Sequence, residues 1–180
     1  MAVVYAVIDK HNGRITVDSE LGMGTTFSIY LLATQAIKPK PKDTENMLES
    51  GVGKILVMDD EDFIRELASA MLEKLGYMSI LVEDGEKAIQ SYKEAFESGR
   101  AFDAVILDLT IPGGMGGKET LEKLREIDTN VQALVSSGYS NDPVMSNYEK
   151  FGFQNAVKKP YRIQELGDAL HAVLGKSEKD

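Results

Sequence analysis

The 180-residue chain contains no cysteine. Disulfides, thiolate metal sites and cysteine nucleophiles are therefore excluded, and the absence fits a reducing compartment. No apolar run approaches the roughly 20 residues needed to span a bilayer. The opening residues, MAVVYAVIDKH, have neither a basic leader nor a small-residue cleavage site, so no signal peptide is expected. Basic charge is in short supply: the formal net charge is −9. A nucleic-acid-binding surface needs a basic patch, so no nucleic-acid partner is expected. The acidity is uneven, with 15 basic and 23 acidic side chains in residues 53–180 and near neutrality before them. Histidine is scarce too. His11 and His171 are far apart, and neither is placed as a kinase phosphodonor. His11 is expected to cap a helix, and His171 to be a surface or packing residue of the last helix.

What is present centres on residues 102–117, FDAVILDLTIPGGMGG. Ala104 to Leu107 is a short apolar run rich in β-branched residues, which suits a strand buried on both faces. Asp108 follows at once, then a loop with Pro112, Gly113, Gly114, Gly116 and Gly117. A carboxylate at that junction lies at the carboxyl edge of a sheet, where open α/β folds keep their chemistry. The glycine run is no P-loop. Its spacing is wrong, and Lys118 is followed by glutamate, not Ser or Thr. It suits a backbone that must turn beside an acidic pocket.

In chain order, residues 2–11 fit either a short buried helix or a strand, with His11-Asn12-Gly13 as the stop signal. Arg14 to Ser19 alternates as a strand does, Leu21 to Gly24 is a glycine turn, and Thr25 to Leu32 is a second strand. Together they predict a β-hairpin with a loop of 4 to 6 residues, too little to close a core unaided. Residues 35–52 read as a linker: Lys-Pro-Lys-Pro-Lys is stiff and extended, and Met47-Leu48 could add one helical turn.

Residues 53–176 then alternate strand and helix. The expected strands, numbered one to five, are Lys54–Met58, Met78–Val82, Phe102–Leu107, Val131–Val135 and Phe153–Val157. The expected helices are Glu61–Leu75 (apolar stripe including Phe63, Ile64, Ala68 and Leu72), Gly85–Phe96, Gly117–Ile127, a short Asp142–Phe151, and Ile163–Leu174. Five such units predict a doubly wound parallel sheet covered on both sides, with right-handed crossovers. If the strand order is 2-1-3-4-5, strands one and three are neighbours. Their ends then bring Asp59, Asp60 and Asp108 into one pocket, with Ser136 from strand four and Lys159 from strand five at the same edge. Three close carboxylates repel one another and require a cation. An all-oxygen donor set favours Mg²⁺.

This pattern resembles the receiver domain of bacterial two-component response regulators, with a flavodoxin-like (βα)5 fold, over about 125 residues. The resemblance implies these roles. Asp108 is the phosphoacceptor. Asp60, Asp108 and the backbone carbonyl of Thr110 ligate Mg²⁺, and Asp59 contributes through water. Ser136 donates a hydrogen bond to a phosphoryl oxygen, and Lys159 contacts Asp108 or the phosphoryl group. The Lys159–Pro160 bond is implied to be cis, which proline tolerates. Activation is read on the face of helix four, strand five and helix five. One departure concerns the position three residues before the lysine, where many receivers carry an aromatic switch. Here it is Ala156. Signalling is expected to lack that switch or to use Tyr139 or Tyr161 otherwise; rim packing is the favoured expectation for both tyrosines.

KHNGRITVDSELGMGTTFSIYLLAT resembles the last part of a sensor histidine kinase ATP-binding domain, through Gly22, Gly24, Thr25 and Phe27. The family's ATP-site motifs lie upstream of this stretch and do not occur here, so residues 1–34 are expected neither to bind ATP nor to phosphorylate a histidine. The two resemblances imply a cytoplasmic piece of a hybrid histidine kinase, whether or not the parent is membrane-anchored, ending without a DNA-binding output domain. Its partners would be a histidine kinase or a histidine phosphotransfer protein, with phosphohistidine as donor. The hairpin's apolar face (Ile15, Val17, Phe27, Ile29, Leu31) is expected to pack on the receiver or to pair with a second copy. Homodimerisation through helix four, strand five and helix five is the other possibility. Two competing functions remain: a receiver-fold interaction module that is not phosphorylated, and a Mg²⁺-dependent phosphohydrolase using Asp108. Against the latter, Asp108-Leu-Thr110 lacks the second aspartate of the haloacid dehalogenase type.

Overall fold

The structure, a computed structural model, describes residues 2–33, 51–139 and 142–175. The chain divides into two units, Met1–Thr44 and Glu45–Asp180. The first unit holds α1 (Ala2–Lys10), β1 (Arg14–Glu20) and β2 (Gly24–Tyr30). The opening residues are thus helical. The helix closes when the Gly13 N–H donates to the Ile8 carbonyl at 2.9 Å. Asn12 takes the left-handed conformation at φ 51°, which its short polar side chain tolerates. β1 and β2 pair antiparallel, with Ile15 opposite Ile29 and Val17 opposite Phe27. Their loop is Leu21–Met23, shorter than expected. Gly22 at φ 83° and Gly24 at φ 104° allow the tighter reversal. Val17, Phe27, Ile29 and Leu31 are exposed.

In the second unit five strands form one parallel sheet: β3 (Lys54–Met58), β4 (Met78–Val82), β5 (Ala104–Asp108), β6 (Ala133–Ser137) and β7 (Asn155–Lys158). The order is β4-β3-β5-β6-β7. In the numbering of the repeat this is 2-1-3-4-5, a flavodoxin-like α/β fold. β5 is buried at all five positions, and its side chains alternate between two cores as the pleat requires. Val105 and Leu107 join Tyr92 of α3 (Gly85–Glu97) and Leu121 and Leu124 of α4 (Gly117–Ile127). Ile106 joins Leu72 of α2 (Asp62–Lys74) and Leu166 and Leu170 of α6 (Ile163–Leu174). Each fully buried side chain of this size contributes about 1.5–3 kcal/mol. These two cores therefore fix the strand ends that carry the polar groups.

Three expectations are corrected. Strands three to five each run beyond the expected end, so Asp108 and Ser136 lie inside β5 and β6, paired opposite one another. The ladder continues through these polar residues because their backbone groups find partners there. The expected helix Asp142–Phe151 is broken into α5 (Pro143–Ser146) and a 3-10 turn, Tyr148–Phe151. Asn147 sits between them at φ −133°, ψ 35°, its amide Nδ2 donating to the Pro143 carbonyl at 3.2 Å; such local bonding competes with helix continuation. Phe63, expected on the apolar stripe of α2, is 71% exposed. It lies at the margin of the stripe, whereas its neighbour Ile64 in the same turn packs on the core with Ala68 and Leu72. The turn suggested at Met47-Leu48 lies outside the described residues.

Candidate functional site

The polar groups gather at the carboxyl edge of the sheet. Asp59 follows β3, and its backbone N–H donates to the Val82 carbonyl at 3.1 Å, extending the β3–β4 pairing by one residue. Its side chain is fully buried. One oxygen, Oδ1, accepts the Glu61 N–H at 3.0 Å. The other, Oδ2, lies 2.5 Å from the Lys159 ammonium and has no hydrogen bond besides that ion pair. Asp108 ends β5 with its Oδ2 2.9 Å from the same ammonium. Lys159 follows β7, and its backbone N–H donates to the Ser137 carbonyl at 3.0 Å. The Lys159–Pro160 peptide is cis.

One lysine therefore bridges two buried carboxylates. Burial pushes the Asp108 carboxyl up; Lys159 and the Thr110 N–H pull it down, Asp59 pushes it further up, and the balance is above the ordinary aspartate range. For Lys159, burial lowers the pKa, but hydrogen bonds and charge from Asp59 and Asp108 outweigh it and hold the ammonium above its ordinary value. The two shifts differ in origin: burial dominates for Asp108, whereas the paired carboxylates dominate for Lys159.

Asp60 is exposed at the mouth of the site. Carboxylate oxygens of Asp59, Asp60 and Asp108 all lie within 4.8 Å of one another. Oxygen ligands of Mg²⁺ sit about 2.0–2.1 Å from the ion, so opposite ligands are separated by about 4.2 Å; the three oxygens are gathered to near that span, within the reach of small side-chain movements. Thr110 lines the same open cleft of about 540 Å³, together with Asp60, Pro112, Gly138 and Tyr139. Ser136 is fully buried beside Asp108 in the β5–β6 register.

The loop after β5 is held by close packing. A Cβ at Gly116 would meet the Leu109 carbonyl at 2.4 Å, and one at Gly117 the Asp108 carbonyl at 2.7 Å. Only glycine lets α4 begin this close to the end of β5.

All the residues singled out from the sequence thus come to one edge. Two others have a place there that the sequence did not indicate. Tyr161, expected at the rim, is 5% exposed and shares a 2.8 Å hydrogen bond with Ser136. A tyrosine two residues after the lysine carries no pattern that announces this, because the contact depends on how the chain enters α6. Arg65 donates to the Asp59 carbonyl at 2.5 Å and pairs with Asp62. Its place one turn into a helix that follows the acidic cluster is the only signal available. Tyr139, by contrast, is 76% exposed.

A fold of five parallel strands with acidic groups at this edge defines a phosphoacceptor-type receiver. Residues 55–171 match the family model of the response regulator receiver domain, and the chain belongs to that family. It is similar to the sensor kinase CckA of Brucella abortus, 30% identical over 99% of this chain and 19% of the kinase. It is also 30% identical to sporulation initiation phosphotransferase F of Bacillus subtilis, over 67% of this chain and 93% of that protein. Among solved structures, the receiver domain of the sensor histidine kinase PA1611 from Pseudomonas aeruginosa, with magnesium in its active-site cleft, matches with a TM-score of 0.60. It is 24% identical and covers 69% of this chain and 99% of that one. The chain spans about a fifth of the length of the sensor kinases it matches.

Proposed function

We propose that the second unit accepts a phosphoryl group on Asp108 from the phosphohistidine of a histidine kinase or a histidine phosphotransfer protein. The observation that carries this reading is the Lys159 ammonium held against both Asp59 and Asp108, with Asp60 within reach. A carboxylate oxygen of Asp108 attacks phosphorus in line, the P–N bond of the donor breaks, and the imidazole leaves. Lys159 neutralises the oxygens of the transferred group, so the protein supplies positioning and charge rather than a base. Ser136 donates to a phosphoryl oxygen.

The residues suited to hold Mg²⁺ are Asp60, Asp108 and the Thr110 carbonyl, with Asp59 acting through water. The all-oxygen set and its spacing support this assignment. Bound there, the ion supplies countercharge for the entering phosphoryl group. The acidic cluster counts against a module that is never phosphorylated. Stoichiometric labelling without sustained turnover of phosphoesters separates the reading from a phosphohydrolase.

The first unit is read as the end of a histidine kinase ATP-binding domain, making the chain part of a hybrid kinase in the cytoplasm. Support comes from the match to the Brucella kinase, which runs through both units. No helix among the described residues is long and apolar enough to cross a membrane. Association of two copies, through the hairpin or through α5, β7 and α6, belongs to the same reading. The test is transfer from a radiolabelled phosphohistidine protein. The full chain should gain label in Mg²⁺ and lose this capacity as Asp108→Asn. Label retained by that variant would refute the assignment.

A further inference from the structure

Ser136 and Tyr161 are both buried, and their hydroxyls lie 2.8 Å apart. Each carries one proton, so only one of them donates in this bond. A phenol is the more acidic hydroxyl and the better donor, and an aliphatic hydroxyl oxygen is the better acceptor. The favoured polarity is therefore from the Tyr161 O–H to Ser136 Oγ. In that polarity Ser136 keeps its own proton for another acceptor, and its register partner is Asp108.

The ring of Tyr161 is fixed. It packs in the core formed with Val57, Leu166 and Leu170, two residues ahead of α6. Burial, with Asp59 and Asp108 nearby, holds its phenol well above the usual range, although the bond to Ser136 opposes this; it keeps its proton to donate. Ala156 of β7 belongs to the opposite core and offers no group for this task.

We propose that Tyr161 is the positioning residue for Ser136: its buried hydroxyl donates to Ser136 Oγ and so aims the Ser136 proton at a phosphoryl oxygen on Asp108. The proposal rests on the phosphoacceptor reading above. Occupancy of the site then reaches α6 through Tyr161, along a route that needs no aromatic side chain on β7.

The test is a titration of the full chain with beryllofluoride and Mg²⁺, followed by amide shifts. It is run on wild type, Tyr161→Phe, Ser136→Ala, Ser136→Thr and the Tyr161→Phe combination with each. Losing one orienting hydrogen bond should weaken apparent beryllofluoride binding by about 2- to 10-fold in Tyr161→Phe. The α6 amide shifts should shrink with it. In the Ser136→Ala background the same change should have less than about a twofold effect, whereas in Ser136→Thr, which keeps the hydroxyl, the full effect should persist. Unchanged or tighter binding in Tyr161→Phe, or an equal loss in the Ser136→Ala background, overturns the positioning role. A wild type that shows no saturable shift around Asp108 overturns the phosphoacceptor reading itself, and this proposal with it.

Discussion

Replacing Lys159 with methionine removes the ammonium that, alone among the described residues, pairs with Asp59 and Asp108, while keeping most of its aliphatic stem. Both carboxylates are buried, with oxygens no more than 4.8 Å apart. Two unit charges at that distance repel by about 3.5 kcal/mol at an effective dielectric constant near 20. Breaking a buried pair by removing one partner typically costs about 3–5 kcal/mol, a large part of the roughly 5–15 kcal/mol that holds a domain together. In Mg²⁺-free buffer, Lys159→Met should therefore lose about 3–5 kcal/mol in urea denaturation followed by circular dichroism. Mg²⁺ should restore part of it: an ion at ten times its dissociation constant returns about 1.4 kcal/mol. Adding Asp108→Asn should restore more, because it removes one of the repelling charges. Asp108→Asn alone should stabilise the fold at neutral pH. Its pKa is raised on folding, so ionised Asp108 opposes folding at every pH above the unfolded value. A Lys159→Met protein that unfolds at the wild-type urea concentration, with or without Mg²⁺, would refute this electrostatic account. Lys123→Met, which breaks an exposed pair with Glu126, is the control and should leave the urea midpoint close to that of wild type.

Gly117→Ala should cost about 1–3 kcal/mol and slow phosphorylation, because its Cβ would strike the Asp108 carbonyl; unaltered urea midpoints and labelling rates would contradict the packing argument. Tyr92→Phe should cost about 1.5–3 kcal/mol in urea melts through its 2.8 Å bond to Asp128, at the sheet edge away from the site, and should leave labelling unchanged. The Lys159 ion pairs should make stability fall on the alkaline side. Its pKa is raised from 10.5 on folding, so the contribution is intact below that value and is lost as pH rises through the folded one. Urea midpoints of wild type in Mg²⁺-free buffer should fall in that window, and those of Lys159→Met should not show this component.

Much of the second unit was legible because its signals are local. The apolar runs of β3 and β4 and the stripes of α4 and α6 place these elements at the observed residues. The edge chemistry was legible too, since Asp59 and Lys159 follow strands, Asp108 ends one and Ser136 is next to the last residue of another, and parallel order brings those ends together. What was not legible depends on particular contacts. The break at Asn147 comes from local side-chain bonding, and the exposure of Phe63 from its place at the margin of the stripe that Ala68 and Leu72 bury. The lysine's contact with Asp59, and not Asp108 alone, follows from side-chain reach across two strands. Tyr161 was misjudged because burial after a loop has no periodicity from which to read it.

The central claim is that the carboxylate at the end of β5 captures phosphorus. The most direct measurement is incubation of the chain with acetyl phosphate and Mg²⁺, followed by mass spectrometry that maps the modified residue. One phosphoryl group per chain, on Asp108, absent without Mg²⁺ and absent from Asp108→Asn, is the predicted result. An unmodified chain, or a label on another residue that survives Asp108→Asn, would contradict it.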